Sequence, residues 1–170
     1  MYKDLLRQAH ELATLDALKP RQANLRRAVS SAYYALFHAL VDEACRGVMG
    51  AQHDQSPYRY VLARAFTHGT MKQACASFSG GTLKAAVAKG LPPTFQIPRE
   101  IKAVATAFVE LQEKRHLADY DLAERFSRSD VLALIEQAET VIEDFASLAG
   151  SNERKFFLAC LWAWSTLAAR

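Results

Sequence analysis

Four side chains that could carry chemistry lie within six consecutive residues: Arg115, His116, Asp119 and Tyr120. Arginine can donate two parallel hydrogen bonds to a phosphate or a carboxylate, histidine exchanges protons near neutral pH, and tyrosine donates a hydrogen bond. At helical spacing Asp119 lies one turn after Arg115, and Tyr120 lies one turn after His116. The stretch therefore predicts either an anion site or an internal ion pair.

Arg115 continues the apolar stripe of the helix that carries it. Steps of three or four residues back from Arg115 reach Phe108, Val104 and Ile101. A guanidinium that loses water without gaining a partner costs several kcal/mol, so Arg115 needs a carboxylate, a second chain or a phosphate. Two hypotheses stay open: an Arg115–Asp119 ion pair that fixes the helix end, and an anion site that includes Arg115.

A second predicted helix, residues 22–46, carries a polar and aromatic stripe beside its apolar one. The stripe contains Arg27, Ser31, Tyr34 and His38, spaced four, three and four residues apart. Tyr34 and His38 could cover the edge of the core with their polar ends in water. They could equally line the wall of a site or a subunit contact.

Helical periodicity runs through the chain, and no segment alternates with a period of two over the length of a strand. We therefore predict an all-α fold of five or more helices. Ser56-Pro57, Thr82, Pro98 and Ser127 are start signals. The predicted helices cover residues 3–18, 22–46, 56–66, 71–78, 82–90, 98–121, 127–150 and 151–170, with an interruption or a kink at 67–70.

The C-terminal stretch, residues 151–170, differs from the bundle of residues 1–150. It is apolar on nearly all sides and contains Trp162 and Trp164, so something must cover it. It either closes the core of the bundle or docks on another subunit, and the density of aromatic residues favours a subunit contact.

Composition narrows the class of protein. The chain has 170 residues, of which 51% are hydrophobic and 23% charged, and this balance is typical of a globular domain. A net charge of +3 is compatible with an anionic partner without demanding one. Cys45, Cys75 and Cys160 are scattered, which predicts buried thiols in a reducing cytoplasm and neither a metal site nor a cofactor. Neither a signal peptide nor a membrane span is predicted.

Three segments, taken in order, resemble the HEPN superfamily of small all-α domains found in prokaryotic toxin–antitoxin and defence loci. They are Leu25–Leu40 (LRRAVSSAYYALFHAL), the Thr-His-Gly sequence at 67–69 that leads to Phe78, and 115–121 (RHLADYD). The last is similar to the Arg-x-x-Ala-Asp-Tyr-Asp signature of one HEPN branch. The resemblance covers about residues 3–148 and implies an up-and-down bundle of about five to seven helices, with residues 151–170 as an extra helix.

The resemblance also implies a function. Many HEPN proteins are metal-independent ribonucleases that pair an arginine with a histidine across a homodimer cleft. Arg115 matches that arginine, whereas Tyr120 stands where the family has histidine, so the base and acid would come from another residue such as His68. The expected catalytic residues are Arg115, Tyr120 and His68, and the expected substrate-binding residues are Arg27, Tyr34, His38, His116 and Asp119.

A second hypothesis is that the chain is a HEPN domain without catalytic activity. The chain would then be a silent HEPN module that binds a partner protein, a nucleotide or a nucleic acid. A homodimer is expected, with RNA and a nucleotidyltransferase-type antitoxin as candidate partners and without membrane association.

Overall fold

The computed structural model describes residues 1–169, which form helices and connecting turns without any strand. This confirms the all-α prediction. The eight helices within this range are α1 (Tyr2–Thr14), α2 (Gln22–Met49), α3 (Ser56–Ala63), α4 (His68–Ser79), α5 (Ala85–Ala88), α6 (Arg99–Tyr120), α7 (Arg128–Ala146) and α8 (Asn152–Leu167), with a short 3₁₀ turn at His53–Gln55. No helix among these residues is both long and apolar enough to cross a bilayer.

Helix α1 ends at Thr14, four residues before the predicted end at Leu18. The Asp16 carboxylate accepts a hydrogen bond from the Arg21 backbone N–H at 3.1 Å and another from the Asn24 side chain at 2.8 Å. The Arg21 N–H also lowers the pKa of Asp16. These bonds compete with helical ones, so the chain turns where apolar periodicity alone predicted more helix.

Helix α2 runs three residues beyond the predicted end at Arg46, through Gly47 to Met49. The stop is Gly50, whose φ of +84° lies in the left-handed region that only glycine adopts without strain. Its N–H closes the last turn by bonding the Arg46 carbonyl at 2.8 Å.

Helix α3 ends at Ala63 and α4 begins at His68, so the predicted interruption is present but covers residues 64–67 and not 67–70. Thr67 is the N-cap, and its hydroxyl accepts a hydrogen bond from the Thr70 N–H at 3.2 Å. Thr82, by contrast, caps nothing, because α5 begins only at Ala85 and has Lys84 as its N-cap. The Ser127 cap is confirmed: its hydroxyl accepts from the Asp130 N–H at 3.1 Å.

The chain divides into two compact units. Unit 1 consists of Met1–Ala39 and Ala107–Glu143, and unit 2 consists of Leu40–Thr106 and Asp144–Arg170. Helices α2, α6 and α7 each contribute residues to both. In unit 1, the ring of Tyr33 packs 5.6 Å from that of Phe108. Other fully buried side chains of unit 1 include Leu25, Val29, Leu36, Leu111, Val131 and Ile135.

Unit 2 is built around the packing of α8 on α4. The ring of Phe78 lies 5.0 Å from Phe157 and 6.3 Å from Trp164, and all three side chains are buried. The buried face of α8 therefore closes a core within the chain, the first of the two alternatives for residues 151–170. Trp162, two residues from Trp164, is 41% exposed.

Candidate functional site

Arg115 of α6 has an internal carboxylate partner in unit 1. Its Nε lies 2.7 Å from Oδ2 of Asp119, and its Nη2 donates a hydrogen bond to the Tyr34 hydroxyl of α2 at 3.2 Å. The Nε–H is not aligned for a hydrogen bond to the carboxylate, so the contact is an ion pair. The side chains of Arg115 and Asp119 are 19% and 25% exposed, which leaves part of the cluster accessible to solvent.

Ser30 holds the other oxygen of the same carboxylate. Its hydroxyl donates to Oδ1 of Asp119 at 2.7 Å, and Ser30 is itself buried. Asp119 is therefore held from both sides, by α2 and by its own helix. Sequence reasoning missed Ser30, although it precedes Tyr34 by four residues and so faces the same way along α2.

Three tyrosine rings surround the Arg115 guanidinium. Its Cζ lies 5.9 Å from the centroid of Tyr33, 5.5 Å from Tyr34 and 6.0 Å from Tyr120. These distances are within the range of cation–π attraction. Tyr33 is fully buried and Tyr120 is 66% exposed, so the cation lies between a core ring and a ring that faces solvent.

Two histidines extend this cluster along α2 and α6. His116 and Tyr120 lie 4.9 Å apart between ring centroids, as the four-residue spacing predicted. On α2, His38 stacks on Tyr34 at 6.2 Å and meets the edge of Phe37 at 5.3 Å. Burial lowers the pKa of His38, with a smaller contribution from the N-terminal ammonium, so this imidazole favours its neutral form at neutral pH.

The structure thus brings together six of the predicted site residues through contacts within unit 1: Arg115, Tyr120, Tyr34, His38, His116 and Asp119. Arg27 is exposed and shares their side of α2 by its spacing from Ser30. His68 belongs to unit 2, where it is the half-buried first residue of α4. Its predicted role with Arg115 stays a prediction.

Arg26 and Gln22 fix the segment that follows the cluster. Arg26 donates to the carbonyls of Ala118 and Asp121 at 2.8 Å each, to that of Glu124 at 2.6 Å, and more weakly to that of Leu117 at 3.4 Å. These carbonyls include ones that the end of α6 leaves without helical partners.

Gln22 binds the end of the same segment. Its side-chain amide exchanges two hydrogen bonds with the backbone of Phe126, at 2.9 and 3.0 Å. Sequence reasoning missed both residues, because their partners lie more than 90 residues away along the chain.

The side chains of this cluster can bind an anion and can stack on the ring of a ligand. Guanidinium, hydroxyl and imidazole groups are hydrogen-bond donors, and the exposed rings offer stacking surfaces. Within residues 1–169, no group of three or more histidine, cysteine or carboxylate side chains is arranged to hold a metal ion.

Comparisons of the chain with protein-family models, with curated proteins and with solved structures return no significant match. The resemblance to HEPN domains therefore rests on the three sequence segments alone.

Proposed function

We propose that this chain is a HEPN-like module that binds single-stranded RNA without cleaving it, through the surface of Arg27, Tyr34, Arg115, His116 and Tyr120. The observation that carries the proposal is the Arg115–Asp119 ion pair, reinforced by Ser30. A guanidinium already neutralised by a carboxylate is poorly prepared to stabilise the negative charge of a phosphorane. It can still hold neighbouring rings in place.

The exposed rings supply the binding energy in this proposal. Tyr120 is 66% exposed and lies next to the exposed His116, so a base can stack on either ring. Stacking of a base on an aromatic side chain contributes about 1–3 kcal/mol. Arg27 adds an exposed positive charge on the same side of α2, where a backbone phosphate can pair with it.

The test is the anisotropy of a labelled oligouridine titrated with protein. Tyr120→Ala should weaken binding by about 1–3 kcal/mol because one stacking platform is lost. Its melting temperature should stay unchanged, because little buried contact disappears. Tyr60→Ala is the matched control, since Tyr60 is 74% exposed on α3 of unit 2 and should leave RNA binding intact. Equal affinities for the wild-type protein and both variants would contradict the proposal.

A metal-independent ribonuclease is the second candidate. It is favoured by the 19% exposure of the Arg115 side chain and by the Tyr34 hydroxyl bound to it, since both groups could turn toward a phosphate. In this function a homodimer would juxtapose two Arg115 residues, with His68 as the base or acid and Tyr120 as a hydrogen-bond donor. A nucleotidyltransferase-type antitoxin would neutralise the activity.

Cleavage of RNA in the presence of a chelator separates the two functions. A nuclease should cut under these conditions, and Arg115→Ala should slow it by roughly 10²–10³-fold through loss of an oxyanion donor. His68→Gln should slow it as well. A binding module should leave the RNA intact while still shifting its anisotropy.

A further inference from the structure

A second candidate site lies in unit 2, in the irregular segment between α4 and α6. A cavity of about 470 Å³, open to solvent, is lined by nine residues between Gly81 and Ile97 together with Lys102 of α6. Its volume is within the range of small-molecule pockets, which is about 300–1,000 Å³. It shares no residue with the Arg115 cluster and so is independent of the function proposed above.

The cavity has a mixed lining: six of its ten residues have apolar side chains, while polar atoms supply more than half of the exposed surface. Leu83, Leu91, Phe95 and Ile97 line it, and each is half-buried, so each presents part of its side chain to the cavity. The ring of Phe95 is held edge-on by Phe156 of α8 at 5.6 Å between centroids. This contact anchors one wall on the aromatic core of unit 2, which favours a cavity that exists before any ligand binds.

One positive charge, that of Lys102, lies among the residues that line the cavity. Lys102 is exposed, and within residues 1–169 none of the ion pairs involves it. Its ammonium group rests against Gly81, which has a φ of +75°, and a Cβ added there would come within 3.3 Å of Nζ. Glycine at this position therefore gives the turn its shape and leaves room for the ammonium group.

The charge of the surrounding segment has the same sign. Residues 80–102 contain four cationic side chains, those of Lys84, Lys89, Arg99 and Lys102, and one carboxylate, that of Glu100. Their net charge of +3 equals that of the whole chain, so the remaining residues are neutral in sum. Arg99 and Glu100 pair with each other at 2.8 Å, and the unpaired charge is left to the lysines.

We infer that this cavity binds a small amphipathic monoanion, such as an acyl or aryl carboxylate. The apolar body of the ligand would contact Leu91, Phe95 and Ile97, and its single negative charge would meet the Lys102 ammonium. One cation beside a group of apolar side chains matches one anionic group on an apolar body, whereas a polyphosphate would need several donors.

The probe is 8-anilinonaphthalene-1-sulfonate, whose fluorescence rises when its rings enter an apolar site. The full chain should bind it saturably, and decanoate should displace it while decanol does so poorly. Lys102→Gln should weaken the affinity for both anions roughly three- to tenfold, because one charge-assisted contact is lost. Binding of the uncharged analogue N-phenyl-1-naphthylamine should be unchanged in that variant.

Lys84→Gln is the matched control, since Lys84 is an exposed cation of the same segment that does not line the cavity. An equal loss of affinity in Lys84→Gln and Lys102→Gln would overturn the inference, because it would reveal general attraction to a basic segment. Displacement by decanol as efficient as by decanoate would overturn it too. Thermal melting of both variants verifies that the fold is retained.

Discussion

The two units organise their aromatic residues in opposite ways. In unit 2, Phe78 of α4 meets Phe157 and Trp164 of α8, and the cluster is closed and apolar. In unit 1, three tyrosine rings of α2 and α6 surround a charged group, Arg115. One cluster excludes water, whereas the other runs from the buried Tyr33 to the exposed Tyr120.

This difference separates a cluster that stabilises the fold from one that can also bind. Burying an aromatic side chain is favourable wherever it is covered, so the α4–α8 cluster needs no further explanation. A half-buried ion pair contributes little net stability compared with an apolar replacement, because both charges lose water. The α2–α6 cluster therefore invites a functional explanation that the α4–α8 cluster does not.

The largest effect is expected in the apolar cluster. Trp164→Ala should destabilise the protein by about 3–5 kcal/mol, because it leaves a cavity between α4 and α8. Trp162→Ala, two residues away on the exposed side of α8, should cost under about 1 kcal/mol. Urea unfolding followed by circular dichroism measures both. Similar losses for the two tryptophans would mean that α8 is not packed as described.

A smaller effect is expected at the ion pair. Arg115→Ala leaves the Asp119 carboxylate held only by Ser30, which should cost about 1–3 kcal/mol given the partial exposure of the pair. Adding Asp119→Asn should recover part of the loss, since it removes the unpaired charge. Denaturation of the two single variants and the double variant gives the coupling energy. A coupling energy of zero would show that the two side chains do not interact in solution.

The smallest effect is expected for the neighbouring arginines of α2. Arg26→Ala removes the donors to four carbonyls, two in the last turn of α6 and two beyond it, and about 1–2 kcal/mol should be lost. Arg27→Ala should change stability by less than about 0.5 kcal/mol, because its side chain is exposed. Amide exchange in residues 121–126 should be faster in Arg26→Ala than in Arg27→Ala, because only Arg26 binds that segment. Equal exchange rates in the two variants would refute this role of Arg26.

Periodicity predicted the helices well wherever the apolar stripe is continuous. The stripe of α6 places Ile101, Val104 and Phe108 in the core, and all three are buried. Three of the misplaced boundaries lie where one side chain or one glycine determines the local backbone conformation. Asp16 ends α1 early, Gly50 ends α2 late, and Thr67 starts α4 before its apolar stripe begins.

The candidate site was predictable only in part. The spacing within 115–121 predicted the Arg115–Asp119 and His116–Tyr120 contacts, because residues four apart share a helix face. The contacts of Ser30 and Tyr34 with those residues join positions more than 80 residues apart. A single sequence does not reveal which turn of α2 meets which turn of α6, so those partners required the structure.

The placement of the cysteines has a practical consequence. Cys45, Cys75 and Cys160 are buried with free thiols, and all three belong to unit 2, two of them on α4 and α8. Burial raises the pKa of Cys45 to about 11 and that of Cys160 to about 12, so neither reacts as a thiolate while it is covered. The rate at which a thiol-reactive dye labels the protein thus measures the opening of unit 2. It does not report on unit 1, which contains no cysteine. The native cysteines therefore report the rate of local opening in unit 2 without any engineered label.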